Sequence, residues 1–139
     1  MKKVNLLLLM MVVFVISSFG QMIEYYQNES IKIEYIKQEC PDLTNGISNI
    51  YVFLKFTNKT SAPIDISYNI YCTYQNGAKT YKTNGENIKH SLQIPSKQSV
   101  EGNCDNRQKN LRVYAGSKIR QASVLKEFEV TNIEIKKSK

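Results

Sequence analysis

The stretch from Ile50 to Tyr74, IYVFLKFTNKTSAPIDISYNIYCTY, constrains the fold most, because two runs of alternating apolar residues flank a short polar segment. Val52, Leu54 and Phe56 share one face of the first run, and Ile64, Ile66, Tyr68, Ile70, Cys72 and Tyr74 share one face of the second. A two-residue repeat is what a strand with one buried face requires. The connector Asn58-Lys59-Thr60-Ser61-Ala62-Pro63 is made of turn formers, and Pro63 can open a strand where its missing N–H does least harm. The expectation is a β-hairpin from which a core grows.

Upstream, Met1-Lys2-Lys3, an apolar run from Leu6 to Ile16 and Ser17-Ser18-Phe19-Gly20-Gln21 form the three parts of a secretory signal peptide, with the cut expected after Gly20. The apolar run falls short of the about 20 residues a spanning helix needs, so no stable membrane anchor is expected after cleavage. The chain divides into a helical signal peptide (1–20), a lead-in segment (21–29) and one domain (30–139). Loss of Lys2 and Lys3 takes the formal charge from +7 to +5. The remaining lysines are scattered, as solvating residues are, and neither they nor the expected export points to a nucleic-acid partner. The expected location is secreted or periplasmic.

Alternation continues along the domain. Ile31, Ile33 and Tyr35 mark a strand over 30–37, and 40–49 reads as a turn-rich loop. Asn76-Gly77 suits a tight turn before a short return arm at Lys79–Thr83. Further strands are read at His90–Ile94, Leu111–Ala115 and Glu127–Lys136, and in the last a phase shift predicts a bulge near Thr131-Asn132. Ser117–Lys126 fits either a helical turn or loop and strand. About eight short strands with frequent turns predict an all-β fold, an antiparallel immunoglobulin-like β-sandwich, with a small β-barrel as the alternative.

Three cysteines, Cys40, Cys72 and Cys104, follow the apolar run. An oxidising compartment favours a bridge, and an odd count leaves one thiol free or paired between chains. Cys40 and Cys104 sit in polar, turn-like settings, whereas Cys72 lies on the apolar face of its strand. An up-and-down count of strands instead places Cys40 and Cys72 at the same end, so both pairings stay open.

Cys40-Pro41-Asp42 with Asn45-Gly46-Ile47, the run Tyr51 to Thr60, Ser99 to Cys104, and Phe128 to Ile133 together resemble a group of small exported immunoglobulin-like β-sandwich proteins of Bacteroidota that carry no assigned function. The resemblance covers most of the chain after residue 20. It implies a secreted sandwich, favours Cys40 with Cys104, and supplies no catalytic residue.

No motif marks a catalytic site. His90, the single histidine, adjoins Ser91, but strand neighbours point to opposite faces, so an exposed strand histidine is expected. Asp42, Thr44 and Asn45 with Asp105 and Asn106 contain oxygen ligands for calcium, yet turn chemistry explains the same residues, and neither metal nor cofactor is expected. Tyr51 and Phe53 lie opposite Val52 and Leu54, and Tyr71 lies opposite Ile70 and Cys72. With Tyr81 they form an expected aromatic binding face for a protein or an envelope glycan, unless a second layer buries them. The functional expectation is an exported, non-enzymatic binding module. The alternatives are a small secreted hydrolase assembled only in three dimensions, or a protease inhibitor presenting the loop Asp105–Asn110.

Overall fold

A computed structural model describes residues 20–83, 88–105, 108–118 and 123–138. The expected signal peptide therefore lies outside the described residues except for Gly20, as do residues 84–87, Asn106 and the middle of the Ser117–Lys126 stretch. Nine strands are described: β1 (Ile23–Gln27), β2 (Ile31–Asp42), β3 (Ile47–Asn58), β4 (Ile64–Asn76), β5 (Lys79–Lys82), β6 (His90–Ile94), β7 (Ser99–Glu101), β8 (Arg112–Ser117) and β9 (Val124–Lys137). The only other regular element among the described residues is a single 3-10 turn at Lys109–Leu111.

The strands form two antiparallel sheets, and each is built around one long strand. In the first sheet β3 pairs with β2 along one edge, and with β8 (over 49–53) and β7 (over 55–57) end to end along the other; β1 continues beyond β2. In the second, β4 pairs with β9 on one side and with β5 and β6 on the other. No ladder joins the two sheets among the described residues, so the fold is a sandwich and not a closed barrel.

This arrangement corrects the expected hairpin. β3 and β4 do not pair with each other; the chain crosses at residues 59–63 from one sheet to the other. Their apolar faces meet across the core instead of lying side by side: Val52, Leu54 and Phe56 of β3 face Ile64, Ile66, Tyr68 and Cys72 of β4, together with Ile31, Ile33, Ile94, Leu111, Val113, Ala115 and Val130. Burying an aliphatic or aromatic side chain of this size contributes roughly 1.5–3 kcal/mol, so layering both runs gains more than exposing either. The hairpin that β3 does form joins it to β2 through residues 43–46, with Asp42 opposite Ile47 and Gly46 at φ +62°. The loop expected over 40–49 is thus mostly strand. The expected lead-in is likewise structured, its β1 pairing with β2.

Asn58 holds the crossover. It is 1% exposed, and its side-chain amide donates to the carbonyls of Ala62 (2.8 Å), Ile94 (3.1 Å) and Pro95 (3.1 Å). Its Oδ1 accepts from the N–H and the hydroxyl of Thr60, both at 2.8 Å. One side chain thereby satisfies backbone groups of the connector and of the end of β6 that the crossing would otherwise leave bare.

Two irregularities shape the remaining edges. β9 carries the bulge expected near Thr131-Asn132, with Asn132 at φ +50°, and a second shift between Glu127 and Leu125. In β8, the register slips between Tyr114 and Gly116, where φ of +144° suits glycine alone. The cysteine pairing is a Cys40–Cys104 disulfide, with Cα atoms 5.6 Å apart and a sequence separation of 64; Cys72 is free and buried. In the chain-entropy model a loop of that length stabilises by about 4 kcal/mol.

Candidate functional site

The four aromatic residues expected to make one platform are dispersed. Tyr51 and Phe53 belong to the first sheet, Tyr71 and Tyr81 to the second. Phe53 is 1% exposed and outside the main core cluster, so it cannot serve as a contact surface. Tyr81 is 45% exposed and stacks on Tyr74, its partner across the β4–β5 ladder, which puts it on the opposite face of the sheet from Tyr71. The platform was inferred from a hairpin, and once the arms separate into layers their outer faces point away from each other. Of the four, Tyr51 has a place at the candidate site.

That site is an open cleft of about 470 Å³ at the start of β3, lined by Cys40, Pro41, Asp42, Leu43, Thr44, Asn49, Tyr51, Cys104 and Arg112. The β2–β3 turn makes one wall and the disulfide another. Cys40 stands opposite Asn49 on β2, while Cys104 follows β7 on the far side of β3, so the bridge ties segments from both flanks of the central strand.

The floor follows from strand register. Tyr51 pairs with Tyr114, and Phe53 pairs with Arg112, so Arg112 sits diagonally from Tyr51 on the same face. Its guanidinium carbon lies 4.8 Å from the centre of the Tyr51 ring. Tyr51 in turn stacks on Phe53 at 6.0 Å and meets the edge of Tyr114 at 5.8 Å. A cation over a packed aromatic row is held by the ring quadrupole and loses little freedom when it engages a ligand. Sequence reasoning missed Arg112 because the signal lies in register, two residues off the partner of Tyr51, and register is invisible without the pairing.

The acid of the lining, Asp42, stays ionised but makes no ion pair with Arg112. Asp42 accepts from the N–H groups of Thr44 (3.1 Å) and Asn45 (3.2 Å) and from the Asn45 side chain (2.7 Å), and these bonds hold its carboxyl below the usual carboxylate range. Turn chemistry therefore engages Asp42 and Asn45, two of the residues with oxygen ligands for calcium, and the disulfide brings their loop beside Cys104. Nearby, Glu39 is bonded to Lys118 and Ser48, which lower its pKa and fasten the end of β8 to the β2–β3 hairpin. Among the described residues no carboxylate pairs with Arg112.

The other singled-out residues lie elsewhere. His90 is not an exposed strand histidine: it stands opposite Tyr68 on the core side of β6, its ring 5.4 Å from that of Tyr68, and burial lowers its pKa. Among the described residues no hydroxyl is hydrogen-bonded to it. Cys72 borders a hollow of about 60 Å³ with Tyr71, Lys82 and Phe128; burial raises its pKa, which keeps it a protonated thiol. Of the loop read as an inhibitor segment, Asn110 is anchored, accepting from the Tyr68 hydroxyl at 2.8 Å.

Comparison with known proteins finds no matching family model, no matching curated protein and no matching solved structure. Function has to be argued from the cleft itself. Among the described residues no helix is long and apolar enough to cross a membrane.

Proposed function

We propose that the protein is an exported, non-enzymatic binding module, an immunoglobulin-like sandwich that engages a component of the cell envelope through the cleft at the start of β3. One observation carries this reading: a guanidinium fixed over an aromatic row, unpaired with any described carboxylate, in an open concavity framed by a disulfide. The basic, apolar and small-residue sequence of residues 1–20 supports export, as does the bridge, which persists in oxidising compartments. The resemblance to exported Bacteroidota sandwiches agrees with it. Leu43, 91% exposed at the rim, adds an apolar contact beside the cationic floor.

The test is capture of envelope material by the immobilised, oxidised protein. Arg112→Ala and Tyr51→Ala should each lower retention about tenfold or more, while Tyr71→Ala and Tyr81→Ala leave it unchanged and all four keep the wild-type melting temperature within a few degrees. Undiminished retention by folded Arg112→Ala would remove the cleft from the account.

A further inference from the structure

We infer that the cleft recognises the carboxylate of an acidic saccharide, a uronic acid residue of an envelope or extracellular polysaccharide; this rests on the binding-module reading and names its ligand class. Three observations lead there. First, the Arg112 guanidinium is a planar fork of donors with no ion-pair partner among the described residues, and a carboxylate is the anion whose geometry that fork matches in two parallel bonds. Asp42, the acid in the lining, stays ionised in its turn, where its oxygens accept from Thr44 and Asn45, and it makes no ion pair with Arg112, whose donors stay open to a ligand.

Second, the lining offers side-chain donors and acceptors spread over a face. Asn49 lies on the floor and Thr44 on the rim, and among the described residues neither side chain has a hydrogen-bond partner. Amides, hydroxyls and guanidinium groups arranged around an aromatic side chain suit the hydroxyls and ring carbons of a sugar. The volume of about 470 Å³ falls within the range of compact ligand sites, about 300–1,000 Å³.

Third, the floor gives a peptide little to use. An extended peptide docks by adding to a free sheet edge, or by seating apolar anchors in pockets. Here β3 is paired on both sides, with β2 and with β8, so the floor presents no open edge. The aromatic row beneath Arg112 is packed ring on ring with Phe53 closed from solvent, so among the described residues that ring is not open to an apolar anchor.

The experiment titrates the oxidised protein by calorimetry and by amide chemical-shift mapping with three probes: trigalacturonate, its methyl ester, and an acetylated triglutamate peptide. Trigalacturonate is expected to bind and to shift the amides of Asn49, Tyr51 and Arg112. The methyl ester keeps the sugar and removes the charge, and should bind at least about tenfold more weakly; Arg112→Ala should lose a similar factor, with Arg112→Lys between it and wild type. Equal binding of acid and ester, or of wild type and Arg112→Ala, overturns the inference. Binding of the peptide in place of the saccharide overturns the ligand class and leaves the cleft as a binding site. If no probe binds while Arg112-dependent capture of envelope material persists, the uronate inference falls alone; if that capture is also absent, both readings fall.

Discussion

The two ends of β3 are made of similar residue types and do opposite things. At the Asn58 end, an amide and a threonine hydroxyl are fully engaged, and the crossing between sheets is closed by hydrogen bonds to Ala62, Ile94 and Pro95. At the Asn49 end, an amide and a threonine hydroxyl line an open cleft beside an arginine. The difference lies in what surrounds them. Asn58 is enclosed by the β6–β7 turn, whose Gln98 carbonyl accepts from the Asn58 N–H at 2.8 Å, so leaving its groups unpaired would carry the full cost of desolvation. Asn49 is half-buried but lines an open cleft, where solvent reaches an amide that has no protein partner among the described residues and leaves it available to a ligand. Polar residues at a buried end specify the fold; the same residues at an open end specify a surface.

The largest effect expected is on the covalent frame. Replacing Cys40 and Cys104 together by alanine should lower stability by about 4 kcal/mol and abolish retention of the ligand, because both the wall and its tether are lost; denaturant unfolding with and without reductant checks it. A stability loss with undiminished binding would show that the bridge does not shape the cleft. Next is Asn58→Ala, which strands several buried backbone groups and should cost about 3 kcal/mol while leaving binding by the remaining folded protein unaltered. Equal damage to binding would mean that the two ends are coupled. Arg112→Ala reverses that pattern, with a stability change of about 0.5 kcal/mol or less and a large loss of binding.

A smaller effect is expected in the other sheet, at His90 on β6. Its pKa in the fold is below the ordinary value of 6.5 because burial disfavours the charged ring. As pH falls through 6.5 the unfolded chain takes up the proton first, so the stability that neutral His90 contributes is lost as pH falls from its ordinary value to its folded one. His90→Gln should flatten that part of the curve of melting temperature against pH and leave ligand binding at pH 7 unaltered. A curve unaltered by the substitution would place the ring in solvent.

Alternation in β3 and β4 was enough to read an all-β chain and to say which side chains face inward: Val52, Leu54, Phe56, Ile64, Ile66 and Tyr68 all lie in the core. It could not say which strand pairs with which. Period two reports that one face is buried, and a neighbour across a turn and a neighbour across a core bury it equally well. That ambiguity produced the misread hairpin and split Tyr51 from Tyr71, which share a surface only if β3 and β4 share a sheet. The bulge at Asn132 was legible because a phase shift within one strand is local. Arg112 was not, because its position over Tyr51 depends on a cross-strand register set by the β8 slip at Gly116. Cys72 was readable as a buried thiol for the same reason as the core: it falls in phase.

The claim that binding belongs to the open end of β3 is tested most directly by site-specific photocrosslinking in cells. A photoreactive side chain is placed at Leu43 on the cleft rim or at Lys97, exposed beside the crossover. The account predicts an adduct with an envelope component from position 43 that disappears with Arg112→Ala, and none from position 97. An adduct from position 97, or one from position 43 that survives Arg112→Ala, would contradict it.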